Sequence, residues 1–328
     1  VGNDTAKNRK NTIRAIIAWT GTILILAYLF FTTDIHAVTT AFRNANLLLF
    51  VIVAFSSVAA TYLTDVFTVR FLLGRVGINV GFLEFARIKG ASYLLNILNY
   101  NLALVMMAAV VKKRSSKGWG SAGSPFILLN FIDLSVFSGI VQFAIWSGRS
   151  PFDRVPTMIL AGLTLAGLLG GPILWLVSRW TSAPGFLGRI IRHDLLAAFR
   201  YLGPISLAAV FGMRLVLILE YGLMNLMFMR SFGIIMPWLD QLFIMSIASF
   251  VAMIPISISG IGSTQYVMRD LCKPYVPDAV ATGAIPKMAV VDAMTTAGIF
   301  GVLIIRVVLG VFCMRGVSRY VSEDAEPK

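Results

Sequence analysis

This chain predicts an all-α, polytopic integral membrane protein, on three observations. Apolar residues make up 58% of its 328 positions and charged residues only 13%, outside the range of soluble globular domains. Mean hydropathy is +0.83. The charges sit between apolar runs of about 20 residues, the length a helix needs to cross the hydrocarbon with every backbone group paired internally. The net charge of +13 is dispersed along the flanks of these runs. That excludes a nucleic-acid partner, which requires a gathered basic surface, and points to membrane-facing positives.

Six runs read as full spans. Arg14 to Asp34 encloses nineteen uncharged residues and lacks a small-residue cleavage site, so it is expected to be a retained first span. Asn46 to Phe67, with Asp65 near its end, is the second. Pro125 to Trp146 follows, carrying Asn130 and Asp133, and then the charge-free Pro156 to Ser178. Gly203 to Phe228 contains Arg214 and Glu220. Val290 to Phe312 contains Asp292 and Arg306.

Two further apolar segments do not fit as plain spans. Ala91 to Val111 holds Asn96, Asn99, Tyr100 and Asn101 at its middle and has basic residues on both flanks, so it is expected to dip in and return to the same side, with a break near 96–104. Leu239 to Lys273 is interrupted near 254–265 by Pro255, Ser257, Ser259, Gly260, Gly262, Ser263 and Gln265, as in a re-entrant hairpin. The second break echoes the first, as an inverted repeat would. If Leu239 to Ile256 crosses completely, the count rises from six crossings to seven or eight.

With the N-terminus inside, nineteen Lys and Arg fall on the cytoplasmic side and four on the outer side. This asymmetry orients the chain with both termini inside an inner, cytoplasmic membrane. Residues 1–320 then form one membrane domain and 321–328 a short acidic disordered tail. Pro184 to Tyr201 spaces Leu187, Ile190, Ile191, Leu195 and Phe199 as an interfacial helix would.

Catalytic and metal sites are not expected. The two cysteines, Cys272 and Cys313, lie in apolar runs, and His36 and His193 share no metal-ligand spacing. Attention falls instead on charges inside spans, each costing about 2.5–3.5 kcal/mol on insertion scales: Asp133, Arg214, Glu220, Lys287, Asp292 and Arg306. Arg214 and Glu220 are about 9 Å apart along a helix and on different faces, so each must look elsewhere. Asp133 is the natural partner for Arg214, while Arg306 and Lys287 can snorkel. A helix that starts inside the membrane presents free N–H groups and a positive dipole end. Two such starts would suit an anionic head group in a cavity.

The second break, Pro255 followed by Ile-Ser-Ile-Ser-Gly-Ile-Gly-Ser-Thr-Gln, resembles the Pro-Ile-x-x-x-Gly-x-Gly-x-x-Glu segment of the lysylphosphatidylglycerol synthase transmembrane family. The first, Asn96-Ile-Leu-Asn99-Tyr-Asn101-Leu-Ala103-Leu104-Val-Met-Met107, lies at the position of the family's Asn-x-x-Pro-x-x-x-Gly-Glu-x-x-Arg stretch. Asn130-Phe-Ile-Asp133 resembles its Arg-x-x-Asp. The resemblance runs from about Phe50 to Phe312. It implies a flippase-type domain that binds a membrane lipid in a central cavity between two re-entrant segments. Asn96, Asn99, Tyr100, Asn101, Pro255, Ser257, Ser259, Gly260, Gly262, Ser263 and Gln265 would line the site, and Asp133, Arg214 and Glu220 would gate or couple it. Leu104, Met107, Asn130 and Gln265 stand where the family carries charge, which favours a less polar ligand among anionic, polyprenyl and hopanoid-like lipids. Aminoacylation by this chain is not expected, and no cofactor is implied. A homo-oligomer or a lipid-handling partner protein is compatible with this reading. The alternative is an integral-membrane enzyme acting on a polyprenyl-phosphate-linked substrate, which would require paired carboxylates in an outer loop; Asp34 and Asp153 are isolated there.

Overall fold

The computed structural model describes residues 35–98, 100–115, 117–149, 153–180, 185–253, 263–278, 280 and 285–322. Its helices are α1 (Ile35–Asn44), α2 (Leu47–Arg75), α3 (Phe82–Leu98), α4 (Tyr100–Lys113), α5 (Trp119–Trp146), α6 (Arg154–Ser178), α7 (Gly185–Ile191), α8 (Ala197–Tyr201), α9 (Pro204–Ser231), α10 (Trp238–Met253), α11 (Ser263–Cys272) and α12 (Lys287–Ser322), with single 3-10 turns at Asp194–Leu196 and Lys273–Tyr275. Among the described residues, five helices are long and apolar enough to cross a membrane: α2, α5, α6, α9 and α12 through Met314. They are the second to sixth spans expected from the sequence. The expected first span lies outside the described residues. Large apolar side chains such as Leu48, Ile159, Leu163, Val216 and Phe312 are exposed on these helices, as surfaces facing acyl chains rather than water must be. The protein is therefore a polytopic α-helical membrane protein.

The chain divides into two compact units. One comprises residues up to Val51 with Asn225–Phe300, the other Ile52–Met224 with the residues from Gly301 onward. In the first, Asn46 caps α2 by accepting from Leu49 N at 3.0 Å, and its own N–H donates to Ser231 O at 2.7 Å. Phe42, Phe50, Phe228 and Phe232 stack edge-on and tilted around this junction, with centroids 5.3–6.4 Å apart. Gly233 at φ 74° closes α9, with Ile234 N donating to Met229 O at 3.0 Å; a left-handed residue is what lets the chain turn back over the last carbonyls. α10 and α11 pack on each other.

In the second unit, α2 runs to Arg75, well past the expected end at Phe67, and closes the same way. Gly77 sits at φ 77° and Ile78 N donates to Leu73 O at 2.9 Å. α5 and α6 form a packed hairpin along a stripe of small residues. A Cβ added at Gly167 would overlap Ser138 Oγ, Ser135 Oγ donates to Gly167 O at 3.2 Å, and Gln142 Nε2 donates to Thr164 Oγ1 at 2.8 Å. Small residues and side-chain hydrogen bonds hold helices together where lipid offers no hydrophobic drive.

Residues 184–201 differ from the expected interfacial helix. The segment breaks into α7, the 3-10 turn and α8, with His193 Nδ1 accepting from Leu195 N at 3.2 Å at the break. Phe199 is 0% exposed, Ala198 N donates to Ser124 Oγ at 3.1 Å, and Gly120 makes room for Asp194. α8 thus docks on α5 and α6. Ile191 and Phe199, two of the apolar residues read as a face for lipid, are buried against protein, while Ile190 and Leu195 are exposed, and Arg200 ties the corner by donating to His193 O at 3.1 Å.

Candidate functional site

Within the second unit, four helices each place one charge at similar depth. Asp65 lies ten residues before the end of α2, Lys89 seven after the start of α3, Asp133 fourteen after the start of α5 and Arg214 ten after the start of α9. At a rise of about 1.5 Å per residue, these are about 10–21 Å in from those ends. The four side chains meet. Arg214 Nε and Nη2 donate to Asp133 Oδ1 and Oδ2, each at 2.6 Å, and Nη1 donates to Asp65 Oδ1. Lys89 Nζ reaches Asp65 Oδ2 at 2.6 Å. Asp133 thus holds the guanidinium in a bidentate fork and Asp65 bridges the two cations. All four side chains are largely buried, and two acids cancel two bases. Such a network satisfies charges that would otherwise be costly at this depth.

The pairing of Arg214 with Asp133 is the one expected from the sequence. Asp65 and Lys89 were not expected in it: Asp65 read as a span terminus, and Lys89 as a cytoplasmic flank. The longer α2 and the early start of α3 draw both inward. The structure does not join Glu220 to this cluster. It lies six residues further along α9, and its buried Oε1 has no hydrogen-bond partner among the described residues.

The remaining interior charges also find neighbours. Arg269 on α11 meets Asp292 on α12 at 3.3 Å. Lys287 pairs with the exposed Asp278 at 2.7 Å instead of snorkelling alone, and its ammonium holds that carboxyl below the usual carboxylate range. Arg306 stacks on Tyr93, 5.2 Å from the ring centroid.

At the first segment, α3 ends at Leu98 and α4 begins at Tyr100; the residue between them lies outside the described residues. The two helices pack on each other, and at 17 and 14 residues they span about 25 and 21 Å, each short of the hydrocarbon thickness. Asn96 is half-buried on the last turn of α3, and Tyr100 and Asn101 open α4; Asn99 lies outside the described residues. At the second segment, α10 ends at Met253 and α11 begins at Ser263. Pro255, Ser257, Ser259, Gly260 and Gly262 lie outside the described residues. Ser263 is buried at the first position of α11, and Gln265 Oε1, two residues on, is buried without a hydrogen-bond partner among the described residues.

Spanning helices, a pair of shorter packed helices and a closed cluster of buried charges define a polytopic membrane domain. The chain belongs to the family described as the lysylphosphatidylglycerol synthase TM region, whose model matches residues 13–313, a longer stretch than the motifs alone suggested. No curated protein matches it.

Proposed function

We propose that this protein moves a polar-headed lipid between the leaflets of a bacterial inner membrane, as a carrier and not an enzyme. One observation carries the reading: the Asp65, Lys89, Asp133 and Arg214 network on four helices lies at membrane depth in the unit that also contains the break between α3 and α4. Charges there are expensive and mark pathways for polar groups through the bilayer. Backbone freed at a helix break is tolerated only where protein or a watery cavity satisfies it. The head group enters, in this reading, at the end of α3 beside Asn96, and the ion network opens and closes around its passage. Both carboxylates of this network are engaged by cations, which makes them poor general bases. With Lys89 drawn into the interior, eighteen Lys and Arg against four support a cytoplasmic N-terminus.

Reconstituted vesicles carrying fluorescent analogues of an anionic phospholipid, a polyprenyl phosphate and a hopanoid-like lipid test this. Transbilayer movement of at least one class should be faster than in protein-free vesicles. Unchanged movement for all three would overturn the proposal.

A further inference from the structure

Arg306 is the interior cation that the ion pairs leave over. Two glycines bring it to its neighbour. A Cβ at Gly90 would overlap Cys313, and one at Gly310 would lie 2.8 Å from Leu94 Cγ, so α12 approaches α3 almost backbone to backbone. Arg306, one turn before Gly310, is thereby set over the ring of Tyr93, three residues after Gly90. Among the described residues its buried Nε has no hydrogen-bond partner and no carboxylate forms an ion pair with it. Tyr93 is 3% exposed, and its buried hydroxyl has no hydrogen-bond partner among the described residues. Lys89 lies 5.5 Å from the same ring, but its charge is met by Asp65.

Among the described residues this corner therefore holds a half-buried guanidinium with no carboxylate against it and two unpaired donors, beside a cluster that sums to zero. Stacking on an aromatic ring offsets part of what a charged side chain loses on leaving water for a span. Buried donors left unpaired add to the deficit. We infer that Arg306 and Tyr93 bind a singly charged oxyanion, the phosphodiester of a lipid head group, an inference that rests on the lipid-carrier reading above. One negative charge matches the one positive charge of the guanidinium. The non-bridging oxygens accept from the guanidinium and the phenol.

The full-length protein in detergent micelles can be titrated with phosphatidylglycerol, with phosphatidylcholine and with inorganic phosphate, following bound lipid by native mass spectrometry. Wild type should bind phosphatidylglycerol. Arg306→Gln and Tyr93→Phe should each weaken it by about tenfold or more, the scale of a hydrogen bond to a charged group, and Arg306→Lys should recover part of the loss. Tyr93→Phe removes only the hydroxyl and so preserves the packing under α12. Unchanged affinity in either variant overturns the assignment, as does displacement of the lipid by inorganic phosphate. If phosphatidylglycerol binding is insensitive to both variants while vesicles still show lipid movement, the inference falls and the carrier reading stands. If no class moves in vesicles, the carrier reading itself falls.

Discussion

Arg214 donates three hydrogen bonds to two carboxylates on two other helices, so its loss leaves Asp133 buried without its partner. Breaking a buried pair from one side costs about 3–5 kcal/mol. Arg214→Gln should lower the melting temperature of the purified protein markedly, whereas Arg214→Met combined with Asp133→Leu should regain part of the loss, because no lone charge then remains. Chemical or thermal unfolding in detergent measures both. At this scale the sequence was partly legible. Asp133 and Arg214 stand alone in apolar runs, so each announces its need for the other. Asp65 and Lys89 stand near further charges, Arg70 on one side and Arg87 on the other, and charge spacing then places the membrane boundary at the first charge met. Burial instead follows where the helices end, at Arg75 and from Phe82, and that depends on tertiary packing.

Helices α5 and α6 show how an element contact replaces apolar burial by close approach. Gly167→Ala would push a methyl into Ser138, and overpacking of this kind costs about 1–3 kcal/mol. The variant should melt at lower temperature, while Gly162→Ala, which has open space around it, should not. Phe199 tests the docked corner in the same way: Phe199→Ala should cost about 3–5 kcal/mol if the ring is packed against protein, and little if it faced lipid. Its ring lies 5.9 Å from that of Phe131, which places it with the former outcome. The segment around Phe199 misleads a sequence reading because amphipathic spacing is the same whether the apolar side meets acyl chains or another helix. That α3 and α4 pack on each other agrees with the asparagines, tyrosine and flanking basic residues that mark this run as other than a plain span.

For the whole molecule, the number and order of the described spans could be read from hydropathy, since the bilayer fixes helix length independently of packing. The arrangement of charges across helices could not, because nothing in a linear pattern says which faces meet. The account's central claim is that the break after α3 opens onto a watered, polar path at membrane depth. Thiol labelling by a membrane-impermeant reagent, applied to both sides of the membrane in a background with Cys272 and Cys313 replaced by alanine, tests it most directly. A cysteine at Asn96 should react readily and one at Leu165, exposed on the apolar face of α6, should not; a residue 96 thiol as unreactive as that at 165 would contradict the account.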